Sequence, residues 1–484
     1  MPGTGYVRIK PQYQLRGWQS LPYALVDSKT RRTGFMRESV FRTAQFCNGR
    51  FTPESPVFLG ERQKHLEELD RGGFLEYLDE PGSLDPSQEY HFYDNRYLQR
   101  VHWSMTGHCN YRCRHCYMSA PHAVLPHPTT EQCLAIVDQI ADCGVPNLSL
   151  TGGEPLIRRD FMQIVDHILE RGMHIEVIMT NGALVSEELL RALEERGCKP
   201  ELNMSYDGTQ GWHDWLRGVG GADDAVTRAL RLCREHGFPT GSELVLHKGN
   251  QHLMRESVQK LGELGVRSLK VNRLSCVGEG TALRDYELSL KDEFETYLEY
   301  IPQYIEDGMP VPALTLSGLF MSLRGRLFVS AERHPEDGEF GTAPICASAR
   351  GTMYLGPDGR ILPCIPMSET DASQEHFPLL GSMTLREALS DSNYMSFISA
   401  TLDQYLEHNP RCASCEYKNR CAGGCRGKAA LATDGTDLLA RDPETCELFR
   451  GGYYDRVKEL IEQLQPRATE LWEARKAAEQ GKEN

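Results

Sequence analysis

From about Val101 to Asp307, short β-rich runs alternate with amphipathic helical stretches and little lies between them. The runs VHWSMT, PNLSLTGG, HIEVIMTNG, ELNMSYDG, SELVLHKG and SLKVNRLS end in Gly, Asn or a polar turn, as strands do. Between them lie helical patterns such as TTEQCLAIVDQIADCG, DFMQIVDHILERG and SEELLRALEERG. Most close on Gly, the residue that best accepts the left-handed position after a helix. Six strand–helix units of crossover length predict an α/β fold with a parallel sheet and helices outside it. Six units rather than eight predict a partial (β/α)6 barrel, open on one side. Ligands then sit at the C-terminal ends of the strands.

The flanks carry other patterns. YVRIKPQYQLRGWQSLPYALVD reads as short strands, and RESVFRTAQFCNG and FLGERQKHLEELDRGGFLEYLDE read as helices followed by a hairpin or wing. The polar, Pro/Gly-rich PGSLDPSQEYH reads as a linker. Past residue 340 the chain turns to Gly, Pro and Cys with few regular elements, too little apolar sequence for its own core. Such a stretch folds around metal. The tail from Tyr453 is helical and charged. The expected division is a module at 1–95, a barrel at 99–310, a linker at 311–339, a Cys-rich domain at 340–450 and a helix at 451–484.

Composition narrows the chemistry. With 484 residues and a formal charge of -15, the surface as a whole repels phosphate backbones, which makes nucleic acid a poor substrate. No run of about eighteen apolar residues occurs, and MPGTGYVRIKPQYQ lacks the apolar core of a secretory signal. The expected compartment is the cytoplasm. Disulfides are rare there, so the 16 cysteines need another account. Cys47, Cys133, Cys143, Cys198, Cys233 and Cys276 are scattered and read as small buried hydrophobes. The others are closely spaced and read as metal ligands.

The string GHCNYRCRHCYM follows the first barrel strand and places Cys109, Cys113 and Cys116 in C-x3-C-x2-C spacing. Three thiolates can hold three irons of a [4Fe-4S] cluster and leave the fourth iron open. The alternative is zinc, with His108 or His115 as a fourth ligand. Downstream motifs favour the cluster. Thr151-Gly152-Gly153-Glu154-Pro155 ends the second strand, and Ser205-Tyr206-Asp207-Gly208 ends the fourth, followed by His213-Asp214-Trp215-Leu216-Arg217-Gly218. In this order the motifs resemble the radical S-adenosylmethionine (SAM) superfamily over residues 99–310. The resemblance implies an open iron that chelates SAM and cleaves it to a 5′-deoxyadenosyl radical. It also implies SAM contacts from Tyr117, Gly152, Gly153, Glu154, Pro155, Ser205, Asp207 and Arg217.

The C-terminal set is Cys346 and Cys364, then Cys412, Cys415, Cys421 and Cys425, then Cys446. Their spacing resembles the SPASM domain of radical SAM enzymes that act mainly on peptides, which carries two auxiliary [4Fe-4S] clusters. By that resemblance Cys412, Cys415, Cys421 and Cys446 hold an outer cluster, and Cys346, Cys364 and Cys425 an inner one. The stretch between Cys346 and Cys364 lacks a cysteine that some relatives have. This leaves the inner cluster with an open iron, for substrate, water or a non-cysteine ligand. The alternative for the whole set is a structural zinc knuckle.

The first 95 residues resemble a PqqD-like winged-helix module, a recognition element that binds the leader of a ribosomally made precursor peptide by strand addition. A plain extension that packs on the barrel or forms a dimer contact is the alternative. The expectation is a peptide maturase that installs a thioether or carbon–carbon crosslink, with reducing equivalents from flavodoxin or ferredoxin. Epimerisation is a variant, with Cys276 as a positional candidate for hydrogen donor. Oxidation of the sulfatase-maturase kind is disfavoured by Ile365, where those relatives carry Asp. Modification of a small molecule or tetrapyrrole, and an inactive iron–sulfur scaffold, complete the alternatives.

Overall fold

The computed structural model describes residues 4–30, 32–333 and 340–483. All six expected barrel strands form: β7 (Arg100–Ser104), β8 (Asn147–Thr151), β9 (His174–Thr180), β10 (Glu201–Ser205), β11 (Thr240–Leu246) and β12 (Ser268–Arg273). They lie side by side, each parallel to the next. Helices α3 (Thr130–Asp142), α4 (Phe161–Glu170), α5 (Glu187–Glu195), α6 (Trp212–Arg217), α7 (Ala222–Glu235), α8 (Met254–Glu263) and α9 (Leu290–Glu306) connect or follow them. The helix starts are chemically marked: Thr129 and Gln132 form a reciprocal capping box on α3, and the Ser186 hydroxyl accepts the Leu189 N–H on α5. The strands are buried on both faces, as parallel sheets are; four of the five residues of β8 are buried.

The sheet is wider than the six units. After β12 come β13 (Ala313–Leu316), parallel to it, then β14 (Phe320–Leu323) and β15 (Arg326–Phe328) as antiparallel hairpin strands. The segment expected to be a linker at 311–339 is therefore sheet through Phe328, and residues 334–339 of it lie outside the described residues. On the other side β16 (Thr352–Leu355) pairs in parallel with β7, and β17 (Ile361–Leu362) pairs antiparallel with β16. The result is one open, 11-stranded sheet whose two sides are built from different parts of the chain. The final helix, Tyr453–Glu483, covers the β15 side. There Gln465 accepts the Leu327 N–H at 2.9 Å and donates to the Gly325 carbonyl at 2.7 Å, so the edge is not left bare.

The first segment has a core of its own, with Val7, Ile9, Leu15, Leu25, Phe41 and Leu66 among its buried side chains. It contains β1 (Tyr6–Ile9), β2 (Tyr13–Trp18), β3 (Leu21–Asp27), β4 (Thr33–Phe35), α1 (Glu38–Phe46), α2 (Glu61–Arg71), β5 (Leu75–Leu78) and β6 (His91–Tyr93). β1 pairs with β5, and a second sheet runs β4-β3-β2-β6. The expected linker is ordered: Asp85 and Gln88 form a capping box, and β6 joins the sheet. Trp18 is the bolt to the barrel; its indole N–H donates to the Cys143 carbonyl at 3.1 Å while the ring stacks on Tyr93.

Past residue 340 the chain is richer in helix than its composition predicts, with short helices from Ala347–Gly351 to Pro443–Arg450. Their apolar side chains, including Met367, Tyr394 and Tyr405, are continuous with the barrel core. No helix among the described residues is long and apolar enough to cross a membrane.

Candidate active site

The C-terminal ends of the barrel strands open into a cavity of about 410 Å³. The loop after β7 supplies Cys109, Cys113, Cys116 and Tyr117 to its wall, and the turn after β8 supplies Gly152 and Gly153. Ser205 comes from the end of β10 and Arg217 from α6. The glycine pair locks the cluster loop in place: the Gly153 N–H donates to the Thr106 carbonyl at 2.7 Å, and the next N–H, of Glu154, donates to the His108 carbonyl at 2.9 Å. A Cβ on Gly153 would lie 2.2 Å from that His108 oxygen, so any other residue forces the two loops apart.

The cysteine loop fits a cluster in its donor chemistry. Burial pushes the Cys109 thiol up to about 12 and raises Cys113 and Cys116 as well, so thiolates here need a cation. Backbone N–H groups are already aimed at sulfur, Tyr111 at Cys109 and Ala120 at Cys116, both at 3.4 Å. The Arg217 guanidinium lies 3.8 Å from the Cys113 sulfur. Among the described residues no three His, Cys, Asp or Glu side chains converge to hold a single metal ion. His108 instead stacks on His127.

Two residues expected to contact SAM are occupied elsewhere. Asp207 is fully buried behind Arg217 and is absent from the cavity lining. Its Oδ2 accepts from Arg217 Nε at 2.6 Å and lies 3.2 Å from His213 Nδ1; its Oδ1 accepts the Val245 N–H. Burial pushes this carboxyl up, but Arg217 and His213 more than offset it and hold it far below the usual range. Asp207 thus aims Arg217. Glu154 is also fully buried; its carboxylate accepts from Leu156 N–H, the Thr180 hydroxyl and Asn181 N–H, and burial moves it up to about 7. It staples the β8 and β9 turns together, and Asn181 in turn donates to Asn110 in the cysteine loop at 2.8 Å. Pro155 starts the 3-10 turn after Glu154 and is buried outside the lining. Tyr117 lines the cavity with its hydroxyl 3.5 Å from that of Tyr354 on β16.

Cys276 packs beside Leu216, Leu274 and Leu283, and burial together with Glu287 pushes its thiol up to about 11. Ser275 and Val277 on either side line the cavity, and Cys276 does not. The expectation of a hydrogen-donating thiol at this position has no support in the geometry. The lining does contain polar residues that no motif flagged: Asn203, Glu243, Lys270, Asn272, Arg273 and Glu369. Strand alternation in β10, β11 and β12 points to the first four, whereas Glu369 comes from the distant C-terminal part.

The C-terminal cysteines fall into two groups. Cys412, Cys415, Cys421 and Cys446 line one cavity of about 40 Å³, walled by Tyr405, Tyr417 and Phe449. Cys425 is not in that lining; it and Cys346 lie near enough to Cys364 to raise its ionisation further. Between the groups sits Asp442, whose Oδ2 accepts the Cys425 N–H at 2.8 Å. The Arg426 side chain is buried, donates to the Ala440 carbonyl at 2.7 Å and stacks on Tyr405.

Comparison with known proteins agrees with this geometry. Residues 103–262 match the family model of the radical SAM superfamily. The chain is 29% identical over 383 residues to the Fe-coproporphyrin III synthase of Methanosarcina barkeri, covering 73% of this chain and 90% of the relative. It is 27% identical over 339 residues to the PqqA peptide cyclase of Gluconobacter oxydans, covering 69% and 86%. Streptococcus suis SuiB, solved with its precursor peptide SuiA, shares the fold at a TM-score of 0.65 and 17% identity, covering 91% of this chain and 100% of SuiB.

Proposed function

We propose that this chain, a radical SAM enzyme with the SAM and [4Fe-4S] requirement of that superfamily, matures a ribosomally made precursor peptide. The observation that carries the reading is the free edge of β4. This strand pairs only with β3 among the described residues, and a groove of about 620 Å³ runs beside it between Leu25, Phe35, Val40, Leu69 and Phe74. Phe35 stands 49% exposed at the rim, with Tyr97 edge-on against one side of its ring. An extended leader peptide adds to such an edge through its main chain and seats alternate side chains in the groove. The N-terminal module is accordingly read as the PqqD-like recognition element.

When bound, SAM and its cluster supply a 5′-deoxyadenosyl radical that removes hydrogen from a peptide carbon. The chain's own contribution is placement. Arg217, fixed by Asp207, presents a cation where the SAM carboxylate needs one, and Ser205 and Tyr117 take the ribose and adenine sides. Lys270 and Glu243, opposite each other in the β11–β12 register, polarise the barrel wall facing the core peptide. The seven C-terminal cysteines would hold two auxiliary clusters, the inner one on three cysteines only and so open to a substrate sulfur or other group. The product is a thioether or carbon–carbon crosslink. Electrons enter from a flavodoxin or ferredoxin, for which exposed Arg112 and Arg114 beside Cys113 form a basic rim.

A tetrapyrrole substrate is the second reading, favoured by the likeness to Fe-coproporphyrin III synthase. Leader docking separates the two. Phe35→Asp should weaken binding of a fluorescent precursor peptide by about tenfold, or about 1.4 kcal/mol, and deletion of residues 1–95 should abolish it. Reductive SAM cleavage by the point variant should be unchanged. Equal peptide affinity in wild type and both variants rules out docking on this module.

A further inference from the structure

We propose that Glu369 is the proton acceptor of the bond-forming step. The inference rests on the peptide reading above, yet its test can fail separately.

Glu369 follows the 3-10 turn Ile365–Ser368, which starts directly after Cys364. Its carboxylate lines the same cavity as Cys109, Cys113 and Cys116, together with Ile365 and Pro366 of its own turn. Among the described residues one polar partner is in place: the Ser275 hydroxyl, from the loop after β12, donates to its Oε2 at 3.0 Å. Among the described residues no ion pair reaches it. Its charge is felt by Tyr117 on the SAM side of the cavity and by Cys364 on the auxiliary side. It therefore stands between the place where a substrate radical forms and the nearest auxiliary cysteine.

Two other carboxylates near the cavity are committed. Glu154 accepts three hydrogen bonds and Asp207 holds Arg217. Glu243 lines the cavity from barrel strand β11, next to Lys270 in register, and not from the turn that follows Cys364. The neighbouring cation, Arg273, is taken up by Glu287, Glu293 and Glu444. That leaves Glu369 as a carboxylate with lone pairs to spare. Burial moves its carboxyl up to about 7, so at neutral pH it exchanges a proton readily.

The step balances as follows. After hydrogen abstraction the substrate carbon radical bonds to a heteroatom or ring carbon of the same peptide. The X–H bond of that group breaks, its proton goes to Glu369, and the one surplus electron goes to an acceptor of the iron–sulfur class. Without a base the bond cannot close, and the radical is returned to starting material by reduction and solvent protonation.

The test has two arms on the reconstituted holoenzyme. In the first, which needs no peptide, pH-difference infrared spectra of wild type minus Glu369→Gln should isolate a carboxyl carbonyl band that titrates near pH 7. In the second, Glu369→Gln with the precursor peptide should make about 10²-fold less crosslink for each 5′-deoxyadenosine formed. Peptide recovered from heavy water should instead carry deuterium. Wild-type crosslink per deoxyadenosine should fall as pH drops below about 7, where the carboxyl is protonated, and Glu369→Asp should restore part of it. A band in the ordinary carboxylate range overturns the proposal. So does an undiminished crosslink in Glu369→Gln, or an altered auxiliary-cluster EPR signal, which would make Glu369 a ligand. A wild type that modifies no peptide sinks the peptide reading, and the infrared arm still decides whether this carboxyl titrates as a base must.

Discussion

Cys113→Ala will fold but hold less iron than wild type, and it will form no 5′-deoxyadenosine from SAM under reducing conditions. The variant removes the thiol that lies beside Arg217 in the cavity wall. Cys109 and Cys116 remain, yet two thiolates cannot retain a cluster whose fourth iron must stay open to SAM. Burial raises the surviving thiols, so without the irons they revert to neutral side chains. The barrel core is elsewhere, in residues such as Val101, Trp103, Leu148 and Ile178, and a cysteine-to-alanine change at the mouth leaves it intact. Iron analysis and chromatography of the SAM cleavage products check both halves. Wild-type amounts of deoxyadenosine from the variant would remove the cysteine triad from the chemistry.

Asp207→Ala should be the most damaging change that touches no proposed iron ligand. The side chain is wholly buried and pairs with Arg217 at 2.6 Å, so its loss strands a guanidinium in the protein interior. Breaking a buried pair from one side costs about 3–5 kcal/mol. The Val245 N–H loses its acceptor too. Denaturant unfolding should show a transition lowered by that amount. Isothermal titration should also show weakened SAM binding, because Arg217 is no longer aimed. Full stability with reduced SAM affinity would mean that Asp207 touches the cofactor directly, as the motif alone suggests.

That motif illustrates what is legible in the chain before folding. The six barrel strands are readable because each apolar run is bounded by turn residues and followed by a helical period, a purely local signal. Gly144 and Gly172, at φ +69° and +75°, end α3 and α4 where the pattern places them. The cysteine spacings are local as well. By contrast, β16 joins β7 across about 250 residues, and nothing in TMYL announces that partner. β13 to β15 are too short and too close to Pro310, Pro312 and Gly318 to stand out from a linker. Orientation is the other blind spot. Asp207 and Glu154 stand in motifs expected to bind SAM, but their carboxylates turn inward, because loop burial follows tertiary packing and no period encodes it. Glu369 sits in the bland string MSETD and acquires its setting only when the C-terminal turn is laid over the barrel mouth.

The central claim is tested most directly by one anaerobic reaction. The reduced, reconstituted protein is incubated with SAM and a candidate precursor peptide, and the peptide is weighed by mass spectrometry while 5′-deoxyadenosine is quantified. The account predicts a peptide lighter by two hydrogens, with one deoxyadenosine formed for each crosslink. Unchanged peptide, or no deoxyadenosine at all, would contradict it.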